Sequence, residues 1–275
     1  MSGSHAAEER YLDLLERTLT RFAFGGDLRV VAPDRGSYAE YLFELVREEL
    51  GDDVALVRRT PFDPELRQVG KDWPADAETM IGVDRLANVR ELATRALDAD
   101  IPGDLVETGV WRGGAAIMMR AVLAARGVTD RRVWVADSFQ GLPKPDAERY
   151  PLDAGDEHWR RPELAVSRAE VAANFARYGL LDDQVRFLEG WFADTLPTAP
   201  IDAIALLRAD GDMYGSTMDT LTSLYDRVSP GGFVIIDDYG AIKACKAAVE
   251  DFRRDRGIDA PIHPVDWTGV WWQVP

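Results

Sequence analysis

Aspartates that follow two apolar segments carry the strongest chemical signal in this sequence. One pair comes after residues 204–207 and the other after residues 233–236: Asp210, Asp212, Asp237 and Asp238. If the two segments are neighbouring parallel strands, their carboxyl ends bring these carboxylates to one edge of a sheet. Carboxylates at close range repel each other, and Mg²⁺ is bound by a few carboxylates together with water and substrate oxygens. The spacing therefore predicts a Mg²⁺ site, with ordinary helix-capping acids as the alternative.

A glycine-rich turn follows a third apolar segment, residues 104–108. Glu107 lies at the end of that segment, and Gly109, Gly113 and Gly114 come before a helical window. Glycines let the backbone turn tightly and approach a ligand, while the free amides of the following helix face the same crevice. The glycine spacing does not fit the G-x-G-x-x-G dinucleotide fingerprint, and a plain tight turn is the alternative.

Two further strand ends predict a nucleoside site. Asp137 closes the next apolar run and could accept both ribose hydroxyls, although Asp137 and Ser138 could equally cap a turn or helix. Gly190 and Trp191 follow residues 185–188, where an indole could pack on an adenine face or simply fill the core. With the aspartates, these residues predict a nucleoside-bearing cofactor beside a metal. A metal lowers the pKa of a hydroxyl bound to it, so a neighbouring carboxylate could take that proton during attack on an electrophilic carbon.

The elements that must position these residues alternate in type along the chain. From residue 103 onward, short apolar runs alternate with helical windows, which is typical of a parallel sheet covered by helices on both faces. Residues 262–265 and 269–274 predict a terminal hairpin at the sheet edge. Before them, residues 1–100 are predicted to be mainly helical, with a long loop over 51–76. We therefore divide the chain into an N-terminal extension, 1–100, packed on a core domain, 101–275.

Composition narrows the class of protein. The chain has 275 residues, of which 46% are hydrophobic and 29% charged, as in globular proteins. Its net charge of −16 argues against nucleic acid or an anionic membrane as a partner. The lone Cys245 excludes an internal disulfide. There is no apolar run long enough for a bilayer span and no apolar signal core, so we expect a cytoplasmic protein.

Longer motifs resemble the macrocin O-methyltransferase family. The resemblance is carried in order by LVETGVWRGGAAIMMRAVL, WVADSFQGLP, LRADGDMYGSTMD and VSPGGFVIIDDY, within a match from about Trp73 to Trp272. That family comprises S-adenosylmethionine- and Mg²⁺-dependent enzymes that methylate sugar hydroxyls on antibiotics such as mycinamicin, tylosin precursors and novobiocin. The resemblance implies the α/β class I S-adenosylmethionine-dependent methyltransferase fold, a Rossmann-like seven-stranded sheet with an antiparallel last strand, and a helical N-terminal lid.

The resemblance also implies roles for single residues. The cofactor would be lined by Thr79, Met80, Glu107, Thr108, Gly109, Trp111, Asp137, Ser138, Gly190 and Trp191. The implied metal ligands are Asp210, Asp237 and Asp238, and either Asp210 or Asp212 would be the general base. The implied cofactors are S-adenosylmethionine and Mg²⁺, the implied acceptor is a deoxysugar hydroxyl of a small-molecule glycoside or sugar, and a homodimer or higher homo-oligomer is expected.

Two departures from the family leave the acceptor open. Glu78 stands where the family often has histidine, and residues 30–67 share no motif with it. Because the N-terminal part of relatives forms a lid around the acceptor, the sugar, its hydroxyl and its attachment stay undetermined. Candidate acceptor contacts are Tyr38, Tyr41, Phe62 and His158. Two other functions are retained as alternatives, an NAD-type oxidoreductase and a non-catalytic nucleoside-binding scaffold.

Overall fold

The computed structural model describes residues 2–275. Its α-helices are α1 (Ser2–Leu19), α2 (Tyr38–Leu50), α3 (Pro64–Gln68), α4 (Gly82–Asp98), α5 (Gly114–Ala125), α6 (Arg168–Arg177), α7 (Phe192–Thr195), α8 (Tyr214–Leu224) and α9 (Lys243–Arg256). Its strands are β1 (Leu28–Val30), β2 (Val57–Arg59), β3 (Asp104–Thr108), β4 (Val133–Asp137), β5 (Val185–Glu189), β6 (Ile204–Ala209), β7 (Val228–Ile236), β8 (His263–Pro264) and β9 (Val270–Gln273).

A seven-stranded mixed sheet forms the centre of the molecule. Its strand order is β5-β4-β3-β6-β7-β9-β8, with five parallel strands and with β9 antiparallel to both β7 and β8. The predicted methyltransferase topology and the terminal hairpin are therefore confirmed. The order reverses at β3, and ligands of open α/β sheets bind outside the carboxyl ends of the strands at such a point.

Apolar side chains on the two faces of the sheet form two separate core clusters. One cluster joins α1, α4 and α5 to one face, and the other joins α8 and α9 to the opposite face. The α1 residues Leu12, Leu15 and Leu19 belong to the first cluster together with Ile117 of α5. The first helix of the extension is thus part of the core on one face of the sheet. The division of the chain into two domains at residue 100 stays a prediction.

The N-terminal extension contains a pair of strands and a short helix that its sequence does not predict. Strands β1 and β2 form a separate antiparallel pair, and both β2 and α3 fall inside the predicted loop 51–76. Each strand has only three residues, which is shorter than the run of alternating residues that marks a strand in sequence, and all of these residues are exposed. None of the helices in residues 2–275 combines the length and apolarity that crossing a bilayer requires.

Candidate active site

Five residues at the carboxyl ends of the parallel strands form a row along one edge of the sheet. In the order of the strands they are Gly190, Asp137, Gly109, Asp210 and Asp237. Backbone hydrogen bonds continue past the strands, since the Gly190 amide donates to the Asp137 carbonyl at 2.9 Å and the Asp237 amide to the Ala209 carbonyl at 3.0 Å. All five residues line one cleft of about 630 Å³.

The turn after β3 requires glycine for a steric reason. Gly109 has φ +81°, and a β-carbon placed there would lie 1.8 Å from the carbonyl oxygen of Asp210. The Asp137 carboxylate braces this turn by accepting hydrogen bonds from the Val110 amide at 2.8 Å and the Phe139 amide at 2.7 Å. Burial raises the pKa of Asp137, and these backbone donors oppose the rise. Asp137 therefore has the turn-capping role weighed above and also faces the cleft.

Most of the remaining residues expected at the cofactor line the same cleft: Thr79, Met80, Glu107, Trp111, Ser138 and Trp191. The segment before α4 reaches the glycine turn because the Glu78 carbonyl accepts a hydrogen bond from the Gly114 amide at 2.9 Å. The Trp111 indole donates to the Glu163 carbonyl at 2.8 Å, which joins the glycine turn to the segment that follows β4.

The structure does not place the Thr108 side chain at the cleft, contrary to what the resemblance implies. Successive side chains of a strand point to opposite faces of the sheet, and Glu107 takes the face that lines the cleft. The Thr108 hydroxyl is fully buried beneath α8, 3.3 Å from the hydroxyl of Thr220. Thr108 contributes its backbone carbonyl, which accepts from the Asp210 amide at 2.9 Å.

The four aspartates come together as their spacing predicts. Strands β6 and β7 are parallel neighbours with Ala209 opposite Ile236, so the residues that follow them lie side by side. Carboxylate oxygens of the three expected metal ligands all lie within 4.8 Å of one another: Asp210, Asp237 and Asp238. Asp212, at φ +57°, donates its backbone N–H to the Asp238 carboxylate at 3.2 Å.

The charges of this cluster are only partly balanced. Burial and then neighbouring carboxylates raise the pKa of Asp210 to about 6, that of Asp212 to about 7 and that of Asp238 well above its usual range. Burial acts on Asp237 as well, but Arg208 and Arg85 outweigh it and lower the pKa of that residue. A hard divalent cation has the charge and the oxygen preference that such a donor set matches.

Two buried arginines hold the cluster, and the sequence analysis did not find them. Arg208 on β6 pairs with Glu107 and Asp237, and Arg85 on α4 pairs with Asp237 and, at 3.0 Å, with Asp266. We call these five residues the arginine network. An arginine inside an apolar strand and next to an acidic turn was the available signal, because a buried guanidinium needs carboxylate partners.

Of the candidate acceptor contacts, only His158 lines the cleft in the described structure. A positive charge on the His158 imidazole lowers the pKa of Asp212, in opposition to burial. Tyr38 and Tyr41 stand exposed on α2, and the Phe62 ring packs edge-on against Phe22 with centroids 5.4 Å apart.

The profile of the family described as "Macrocin-O-methyltransferase (TylF)" matches residues 8–274 of this sequence. The chain belongs to the macrocin O-methyltransferase family. It is an O-methyltransferase, and S-adenosylmethionine is the methyl donor that membership implies. The matched range includes residues 30–67, where no family motif is evident. Because the chain belongs to a family of O-methyltransferases, the two alternative functions, an NAD-type oxidoreductase and a non-catalytic nucleoside-binding scaffold, are set aside.

Individual members of the macrocin O-methyltransferase family are similar to the chain over most of its length. The mycinamicin III 3''-O-methyltransferase of Micromonospora griseorubida is 47% identical over 268 residues, 96% of either chain. The 8-demethyl-8-(2,3-dimethoxy-alpha-L-rhamnosyl)-tetracenomycin-C 4'-O-methyltransferase of Streptomyces olivaceus is 56% identical over 212 residues, 77% of this chain and 81% of that enzyme. The solved structure of the O-methyltransferase NovP superposes with a TM-score of 0.83 at 46% identity, covering 97% of this chain and 99% of NovP.

Proposed function

We propose that this enzyme transfers a methyl group from S-adenosylmethionine to a deoxysugar hydroxyl of a glycosylated natural product, with Mg²⁺ as a second cofactor. The names of its relatives support a sugar acceptor, since one acts on mycinamicin III and another on a rhamnosyl tetracenomycin. The observation that carries the proposal is the convergence of Asp210, Asp237 and Asp238 in the same cleft as the glycine turn.

The methyl donor would occupy the part of the cleft around β3, β4 and β5. Asp137 would accept the ribose hydroxyls, and Trp191 would border the adenine. Thr79 and Met80 would cover the methionine part. Glu107 supports this placement because its second carboxylate oxygen is buried without a hydrogen-bond partner in the described structure, although the residue lines the cleft. A buried acceptor of this kind is stabilised by a donor from a ligand.

The acidic part of the cleft would bind the metal and accept the proton. Asp210, Asp237 and Asp238 would hold Mg²⁺, which when bound lowers the pKa of an acceptor hydroxyl and orients it. Asp212 lies outside that oxygen set and borders the cleft, so we assign it as the general base. As the new O–C bond forms and the S–C bond breaks, Asp212 takes the hydroxyl proton and S-adenosylhomocysteine leaves.

Metal removal and the Asp238→Asn variant test the metal assignment. We expect EDTA to abolish methyl transfer and Mg²⁺ to restore it. We expect Asp238→Asn to weaken Mg²⁺ binding at least roughly tenfold, or about 1.4 kcal/mol, while calorimetry shows unchanged S-adenosylhomocysteine binding. Asp202→Asn, an exposed aspartate at the opposite end of β6, is the matched control. Full activity in EDTA, or wild-type Mg²⁺ affinity in Asp238→Asn, would contradict the metal role.

We also propose that the enzyme is a homo-oligomer. Helix α2 has no buried residue, and several of its large apolar side chains are exposed: Tyr38, Tyr41, Leu42, Leu45, Val46 and Leu50. Apolar surface of this kind is covered when a second subunit packs against it. Light scattering coupled to size exclusion is expected to give a multiple of the chain mass, and a monomer mass at micromolar concentration would contradict the proposal.

A further inference from the structure

Two tryptophans that the proposed donor and metal sites leave unassigned line the cleft. Trp73 is 47% exposed and Trp267 is 44% exposed, although both face the same concave surface as Asp237 and Asp238. Large aromatic side chains that stay exposed within a cleft mark a surface where a ligand packs.

The residues on either side of Trp267 are fixed by hydrogen bonds to Arg85 and to the backbone of Asp237. Asp266 receives a hydrogen bond from Arg85 of the arginine network, and the Thr268 hydroxyl donates to the Asp237 carbonyl at 2.9 Å. The Trp267 indole N–H donates to the Val69 carbonyl at 2.8 Å. The ring is therefore held between the acidic cluster and the segment that leads to Trp73.

Trp73 has an unfavourable backbone conformation that its surroundings hold in place. Its φ of +41° lies in the left-handed region, which is uncommon for a bulky residue and further disfavoured by the proline that follows. The Arg29 guanidinium donates to the Trp73 carbonyl at 3.4 Å, and the Asp27 carboxylate accepts from the Ala75 amide at 2.6 Å. Strain that is held from both sides is typical of ligand-contact positions.

We infer that Trp73 and Trp267, the tryptophan wall, bind the acceptor sugar. A pyranose has an apolar C–H face and a rim of hydroxyls. Packing the C–H face on an indole leaves the rim free to reach the aspartates, and the 6-methyl group of a deoxysugar enlarges the apolar contact. The inference rests on the proposed function in taking the acceptor to be a sugar, and it adds the residues that select one.

Saturation-transfer NMR with methyl α-L-rhamnopyranoside tests the wall in the enzyme loaded with S-adenosylhomocysteine and Mg²⁺. We expect saturation to reach the ring C–H protons in the wild type and in Trp73→Phe and Trp267→Phe, which keep an aromatic face. We expect Trp73→Ala and Trp267→Ala to bind the probe roughly three- to tenfold more weakly. Phe24→Ala removes an exposed aromatic outside the cleft and is expected to match the wild type.

We expect calorimetry to give the same S-adenosylhomocysteine affinity for every variant. That result would separate a loss of acceptor binding from a general loss of structure. Trp267→Phe also loses the indole N–H that contacts Val69, so wild-type probe affinity in this variant would show that the aromatic face, and not the anchoring bond, binds the sugar. Three outcomes would each overturn the proposal that the tryptophan wall binds the sugar. The alanine variants could bind the probe as the wild type does, or the phenylalanine variants could bind it as weakly as the alanine variants. The alanine variants could also lose S-adenosylhomocysteine binding. If the wild type itself shows no transfer, the sugar acceptor of the proposed function falls together with the wall.

Discussion

Arg208 supplies a buried positive charge to the acidic edge, by which we mean Asp210, Asp212, Asp237 and Asp238 at the ends of β6 and β7. It is 1% exposed within β6, and its guanidinium pairs with Glu107, Asp237 and, at 2.9 Å, Asp210. Arginine suits this position because its planar group presents several donors at fixed angles and keeps its charge when buried. Arg208 thus links a residue of the proposed donor site to a proposed metal ligand.

Arg208→Met is expected to lower the free energy of unfolding by about 3–5 kcal/mol, because it leaves buried carboxylates without their countercharge. Urea denaturation measures the change. Arg208→Lys keeps the charge but cannot reach three carboxylates, so we expect an intermediate loss. Glu107→Gln combined with Arg208→Met should recover part of the stability. If Arg208→Met is as stable as the wild type, the network does not stabilise the fold.

At the scale of elements, the start of α8 is held from a distant part of the chain. Met213, at the N-cap position, offers no side-chain hydrogen bond to the helix. Instead the buried Asp153 carboxylate accepts from the Tyr214 amide at 2.7 Å and from the Gly215 amide at 2.9 Å. The turn that carries Asp210 and Asp212 leads directly into this helix, so Asp153, which lines the same cleft, helps to fix the position of that turn.

Asp153→Ala is expected to reduce stability by about 1–2 kcal/mol, the usual effect of removing a helix cap. Thermal unfolding followed by circular dichroism measures it. Asp153→Asn keeps one carbonyl acceptor and should lose less. Glu148→Ala, an exposed acid in the same segment, is the matched control and should unfold with the wild type. Equal loss in Asp153→Ala and Glu148→Ala would show that the capping bonds contribute nothing.

The elements also show what the sequence can and cannot predict. Strands β3, β4 and β6 are buried apolar runs bounded by glycine, acids or loops, so pattern alone locates them, and parallel order then places Asp210 beside Asp237. Asp153 is 61 positions from Tyr214 of α8, and Arg208 is 101 positions from Glu107. A local sequence pattern carries no information over such separations. Strands β1 and β2 were missed because only pairing with each other defines them.

At the scale of the whole molecule, the N-terminal helix is part of the main core and brings a buried acid with it. Glu16 on α1 is 6% exposed, and its carboxylate lies 3.5 Å from the Arg90 guanidinium on α4. Burial raises the pKa of Glu16 to about 7, with Arg90 opposing that rise. The contact between α1 and α4 therefore couples global stability to pH.

Because the native pKa of Glu16 lies above its unfolded value of 4.5, the folded protein keeps a proton that the unfolded chain releases. Its stabilising contribution is complete below pH 4.5 and is lost as pH rises to about 7, with a slope of at most about 1.4 kcal/mol per pH unit. In urea denaturation from pH 4.5 to 7.5, Glu16→Gln should therefore gain stability relative to the wild type as pH rises.

Glu91→Gln provides the control for this pH dependence, since it removes an exposed carboxylate of α4. We expect its unfolding free energy to follow that of the wild type at every pH. Parallel pH profiles for wild type and Glu16→Gln would show that Glu16 does not titrate differently in the folded and unfolded chains.

The turn between β8 and β9 has a consequence for biosynthesis. Asp266 and Thr268, which hold Arg85 and the backbone of Asp237, are translated after all of the acids that line the edge. A nascent chain synthesised just past β7 therefore contains all of these aspartates but lacks the two residues that later hold Arg85 and the backbone of Asp237. A chain that ends before this hairpin keeps the contacts of Asp237 with Arg208 and Arg85, but it lacks the Thr268 hydrogen bond to the Asp237 carbonyl and the Asp266 contact that holds Arg85.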